Sequence, residues 1–123
     1  MTPKVTAIVI AQPDRFRESI QILLASISRI DEVLPVGSIK EALSQAANLH
    51  PSILILDSQA MNPDLSTALR LVGETWPTTS RIVLVETRSE LQQAATHGAD
   101  LGLLKGFNAS KFINTVEEIL NNR

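Results

Sequence analysis

The most regular feature of the chain is the apolar run Ile53-Leu54-Ile55-Leu56, closed by Asp57 and bracketed by His50-Pro51 and Ser58-Gln59. A short, uninterrupted apolar run between turn signals is the pattern of a strand buried on both faces. Residues 5–10 and 81–85 repeat it, and residues 101–104 give a shorter version. Residues 32–36 give a weaker one, broken by Pro35. Proline has no N–H to offer a sheet neighbour, so this last segment belongs at an edge.

Between these runs apolar residues recur every three or four positions. Phe16, Ile20, Leu23, Leu24 and Ile27 predict a helix over residues 14–28, capped by Asp14, with Arg15, Arg17, Glu18 and Gln21 on the wet face. Ser38 with Glu41 matches a capping box and opens a helix to residue 48 or 49, with Ala42, Leu43 and Ala46 inward. Residues 58–64 read as a loop. Asp64 or Ser66 can cap the helix that carries Leu65, Leu69, Leu71 and Val72 and stops near Gly73 and Trp76-Pro77. Thr87 with Glu90 is a second capping box, and the helix it opens ends near His97, where Gly98 suits a left-handed stop. Asn108 can cap a last helix with Phe112, Ile113, Val116, Ile119 and Leu120 on its apolar stripe.

Five strands alternating with five helices imply a parallel sheet covered on both faces. Spread over 123 residues, they fit one α/β domain of flavodoxin-like, doubly wound form with strand order 2-1-3-4-5. A site in such a sheet lies beyond the carboxyl ends of the strands, at the switch between the first and third.

Composition narrows the chemistry. Net charge is -2, which gives no general attraction to nucleic acid or an anionic membrane. Aromatic residues are 3%, too few for a base-stacking platform. There is no cysteine, and the two histidines, His50 and His97, form no metal-ligand spacing. No apolar run reaches the length of a membrane span, and the N-terminal run lacks a cleavage pattern, so a cytoplasmic protein is expected. The first strand is followed by Ala11-Gln12-Pro13-Asp14, with no glycine-rich phosphate loop, and no nucleophile elbow is present.

The residues left at the carboxyl ends are Ala11 and Gln12 after the first strand, Asp57 after the third, Glu86 and Thr87 after the fourth and Lys105 after the fifth. A lysine facing an aspartate across one sheet end favours the carboxylate's charged form and is suited to holding an added phosphoryl group. The same pair also reads as a structural ion pair, and Asp57 also reads as a loop cap that accepts backbone N–H bonds.

Over essentially its whole length the chain resembles the response-regulator receiver domain of two-component signalling. The resemblance is carried by "IVIAQPDRFRESIQILLAS", "GSIKEAL", "HPSILILD" and "GADLGLLKG". It implies that Asp57 is the phospho-acceptor, that Lys105 contacts the phosphoryl group, and that Glu86 or Thr87 takes the switch position. It also implies Mg²⁺, held by Asp57 and two acidic residues after the first strand. Here those two positions are Ala11 and Gln12, which leaves a degenerate acidic pocket and a weak metal site at Asp57. Gly102 stands where receivers carry an aromatic in the fifth strand, and Gly106 follows the lysine where proline is common.

The expectation is a phosphorelay signalling module and not an enzyme. Its partners are a sensor histidine kinase or another signalling protein, with a homodimer through the last two helices and fifth strand. A second expectation in the same fold is a phosphorylation-independent pseudo-receiver, an adaptor or dimerisation module, in which Glu86 pairs with Lys105. A third, from another class, is a small flavodoxin-like ligand-binding domain or enzyme using Asp57 and Lys105.

Overall fold

A computed structural model describes residues 4–60 and 64–122. Its elements run β1 (Thr6–Ile10), α1 (Arg15–Ala25), β2 (Glu32–Val36), α2 (Ile39–Ala46), β3 (Ile53–Asp57), a 3-10 turn (Ser58–Ala60), α3 (Leu65–Thr75), β4 (Ser80–Val85), α4 (Arg88–Thr96), β5 (Leu101–Leu104) and α5 (Ala109–Asn121). All strand pairs are parallel, in the order β2-β1-β3-β4-β5. This is the order expected from the alternation of elements, and β2 with Pro35 lies at an edge.

The buried strands serve two cores because successive side chains point to opposite faces. Ile8, Ile10, Leu54, Leu56, Val83 and Val85 meet α2, α3 and α4 on one face. Ala7, Val9, Ile53, Ile55, Ile82 and Leu84 meet α1 and α5 on the other, where Phe112, Val116 and Leu120 fill the space. Burial on both faces explains why these runs carry no alternation of apolar and polar residues.

The helix ends differ from the periodic pattern where local bonds tighten or end the last turn. Helix α1 ends at Ala25, not residue 28, because the Ser26 hydroxyl and N–H both turn back to the Leu23 carbonyl, at 2.6 and 3.2 Å. Helix α2 ends at Ala46, and the Leu49 N–H closes a tighter turn onto the Ala46 carbonyl at 3.0 Å. Helix α3 stops at Thr75 with Trp76 as its cap, as expected for Trp76-Pro77, but it runs through Gly73: a Cβ there would lie 3.3 Å from the Arg81 guanidinium, so the glycine leaves room for that side chain. The expected box at Ser38 is half formed: its side chain caps the Glu41 N–H, but the Glu41 carboxylate reaches one residue further, to the Gly37 N–H at 2.8 Å. Asp64 caps α3, and Ser66 donates to it. Part of the expected 58–64 loop, residues 61–63, lies outside the described residues. Among the described residues no helix is long and apolar enough to cross a membrane.

Candidate functional site

Asp57 ends β3 and is 5% exposed. Its Oδ1 accepts the Gln59 N–H at 3.0 Å, an i to i+2 bond that turns the chain out of the strand. The same oxygen lies 2.7 Å from Lys105 Nζ. The loop-cap reading and the ion-pair reading of Asp57 therefore both describe this one oxygen.

Lys105 is placed by the end of β5, where its N–H donates to the Val85 carbonyl at 2.8 Å. Its ammonium has a second carboxylate partner, Glu86 Oε1 at 3.0 Å, and lies 4.6 Å above the centre of the Phe16 ring. Burial pulls the Lys105 pKa down, but the hydrogen bonds and charges of Asp57 and Glu86 together outweigh it and raise the pKa above the usual lysine value.

Glu86 and Thr87 take different roles. Glu86 reaches Lys105, with its side chain 48% exposed. The Thr87 hydroxyl accepts the Glu90 N–H at 3.1 Å, and Glu90 answers the Thr87 N–H, the capping box expected at the start of α4. The carboxylate, not the hydroxyl, therefore faces Asp57 across Lys105.

On the β1 side, Ala11 is 2% exposed and Gln12 is exposed. Asp14 caps α1 through a 2.9 Å bond from the Arg17 N–H. Arg17 is not on the wet face, where the helical pattern put it. It is half-buried, and its Nη1 donates to the Ala11 carbonyl at 3.2 Å. Phe16 and Arg17 were missed as site residues because a helical wheel treats the first turn like the middle. In an open α/β sheet the first turn after a strand overhangs the carboxyl edge, and that position is the signal that points to them.

Beside Lys105, a cleft of about 400 Å³ runs between α4 and α5, lined by Leu91, Gly102, Leu104, Phe107 and Lys111 among others. A Cβ on Gly102 would stand 2.5 Å from Leu91 Cδ1, so Leu91 fills the space over β5 where the expected aromatic is missing.

Solved structures share the fold. A CheY-like response-regulator receiver domain from Methanospirillum hungatei superimposes with a TM-score of 0.84 at 15% identity, covering 98% of this chain and 96% of its own. A chemotaxis response regulator of Vibrio cholerae gives 0.81 at 17% identity, covering 95% and 99%. A receiver domain protein from Clostridium thermocellum gives 0.80 at 20% identity, covering 96% and 95%. The chain has the receiver fold. Neither a protein-family model nor a curated protein sequence matches it. At these identities the likeness is one of fold.

Proposed function

We propose that the chain is a receiver-type signalling module of the two-component class that acts by protein–protein contact and not as an enzyme, with Asp57 in the acceptor place and an ion cluster that needs no phosphoryl group. One observation carries this reading: the Lys105 ammonium is held between Asp57 at 2.7 Å and Glu86 at 3.0 Å. In a receiver that lysine is the group expected to meet the phosphoryl oxygens; here a resident carboxylate already meets it. Burial of Asp57 and the absence of side-chain acids at Ala11 and Gln12 point the same way. The contact face is α4, β5 and α5, with a second copy or another cytoplasmic signalling protein as partner. Leu101 stands exposed at the edge strand, and the cleft at Gly102 opens beside it.

A second reading is favoured by the Asp57–Lys105 bond itself: a sensor histidine kinase phosphorylates Asp57. The carboxylate oxygen attacks phosphorus, the bond to the donor's leaving group breaks, and Lys105 leaves Glu86 to follow the new oxygens. Intact mass after incubation with a small phosphoryl donor and Mg²⁺, beside Asp57→Asn, separates the two. No added phosphoryl group in folded protein is expected. A gain that Asp57→Asn abolishes overturns the phosphorylation-independent reading and supports the second.

A further inference from the structure

Glu86 meets Lys105 from a side chain that is 48% exposed. A glutamate so placed loses rotamer freedom when it holds one geometry, so a steady reach to one ammonium needs a backbone already set in direction. Glu86 has that backbone. Its N–H donates to Glu90 Oε1 at 2.9 Å, and the Thr87 N–H donates to the same oxygen at 3.2 Å. These two N–H groups belong to the two peptide planes that flank the Glu86 Cα. The first plane is also held on its other side, because the Val85 carbonyl accepts the Lys105 N–H at 2.8 Å. The peptide that leads into Glu86 is thus clamped between the Lys105 backbone and the Glu90 carboxylate.

Glu90 is itself fixed against the strand that ends beside Lys105. Its N–H donates to Thr87 Oγ1 at 3.1 Å. The next residue, Leu91, rests over Gly102 of β5, where an added Cβ would stand 2.5 Å from Leu91 Cδ1 and 3.9 Å from the Ala94 Cβ. Among the described residues the carboxylate partners of Lys105 are Asp57 and Glu86, and not Glu90. What Glu90 does to the cluster therefore passes through the backbone of Glu86.

We infer that Glu90 is the positioning residue of the ion cluster: its carboxylate fixes the peptide planes on both sides of Glu86 and so aims the Glu86 side chain at Lys105. The inference rests on the reading above, in which Asp57, Lys105 and Glu86 form a resident cluster. The capping box at Thr87 then has two tasks, to start α4 and to direct Glu86. A displacement of the first turn of α4 frees Lys105 from Glu86 without touching Asp57.

The test follows the Lys105 titration in the full chain through the ¹³C shift of its ε-methylene, a resonance identified by its loss in Lys105→Met. Glu86→Gln is expected to lower the midpoint by removing a carboxylate partner. Glu90→Met keeps the length of the side chain and removes its acceptor oxygens; it is expected to give most of the same drop. Glu90→Gln still accepts N–H groups at this helix position and is expected to leave the midpoint close to that of the unaltered chain. Glu86→Gln/Glu90→Met is expected to fall no further than Glu86→Gln alone. Gln92→Gly weakens α4 at an exposed position, as glycine does in a helix interior, and is expected to leave Lys105 unmoved. Amide dispersion reports folding, and Glu90→Ala replaces Glu90→Met if the latter does not fold. A drop in Gln92→Gly as large as in Glu90→Met overturns the inference, because Glu90 then acts only through the stability of α4. So does a full drop in Glu90→Gln, which traces the effect to charge and not to aim, or a double variant whose drop is the sum of the single ones. A drop in Glu86→Gln without one in Glu90→Met overturns the inference and leaves the cluster reading standing. If Glu86→Gln itself leaves Lys105 unmoved, the cluster reading falls and the inference falls with it.

Discussion

The two edges of the sheet hold their strands together by different means. At the amino edge, three short bonds between neighbouring strands run from side chain to backbone, beside one exposed ion pair, Lys4 to Glu32 at 3.3 Å. Asp31 accepts the Val5 N–H at 2.8 Å and ties β2 to β1; Thr79 donates to the Pro51 carbonyl at 2.7 Å and ties β4 to β3; Asp100 accepts the Arg81 N–H at 2.7 Å and ties β5 to β4. At the carboxyl edge, the link between β3, β4 and β5 runs through side chains: Lys105 is shared by Asp57 and Glu86 and stacks over Phe16. A shared ammonium can change partners without moving the backbone. The acids of one edge are stitches, and those of the other form a cluster whose bonds can be redistributed.

The largest test of this contrast is Lys105→Met. It leaves the Asp57 carboxylate buried with the Gln59 N–H alone, and removing one partner of a buried pair is strongly destabilising. A loss of about 3 kcal/mol in urea unfolding, with the slope unchanged, is expected. Adding Asp57→Asn removes the stranded charge and should recover most of that loss. No recovery would mean that Lys105 acts through packing on Phe16 and not through charge.

Asp100→Ala tests the other edge at smaller scale. It leaves the Arg81 N–H without its side-chain acceptor, next to solvent that supplies a partial substitute. A loss of about 1 kcal/mol is expected. It should be nearly independent of ionic strength, because the donor is a neutral backbone group. A strong salt dependence would place the Asp100 carboxylate in an ionic role and blur the difference between the edges.

The same contrast marks what the sequence makes legible. The strands and the two cores follow from apolar runs such as residues 53–56, whose burial on both faces leaves no room for a polar residue. Asp57, Glu86 and Lys105 are legible as neighbours because a parallel sheet brings the ends of β3, β4 and β5 to one edge. Their bonding is legible in part: the Thr87–Glu90 box already gives Thr87 a role at the start of α4, but nothing in the spacing shows one ammonium shared by Asp57 and Glu86. Arg17 is the clearest loss. Hydropathy ranks it with Arg15 as a solvent residue, and only its turn back to Ala11 shows otherwise. Gly73 fails in the opposite way: glycine statistics suggest a helix stop, while the packing of Arg81 explains why it sits inside α3.

The smallest effect on stability is expected from Glu86→Gln, and it separates the two arms of the cluster. The Glu86 side chain is 48% exposed, so its bond to Lys105 is screened and is worth about 0.5 kcal/mol, falling further with salt. Its signature lies at high pH. Lys105 holds its proton more tightly folded than unfolded, because the two carboxylates outweigh the effect of burial. The resulting stability is complete below the ordinary lysine value of 10.5 and is lost as pH rises through the higher folded value. Glu86→Gln removes one of those carboxylates, so the alkaline loss should be complete at a lower pH and be smaller in total, as read by unfolding midpoints across that range. If Glu86→Gln instead leaves the alkaline profile unchanged, Asp57 alone sets the Lys105 proton. Glu86 would then be a surface neighbour, and the phosphorylation-independent cluster would lose its second carboxylate.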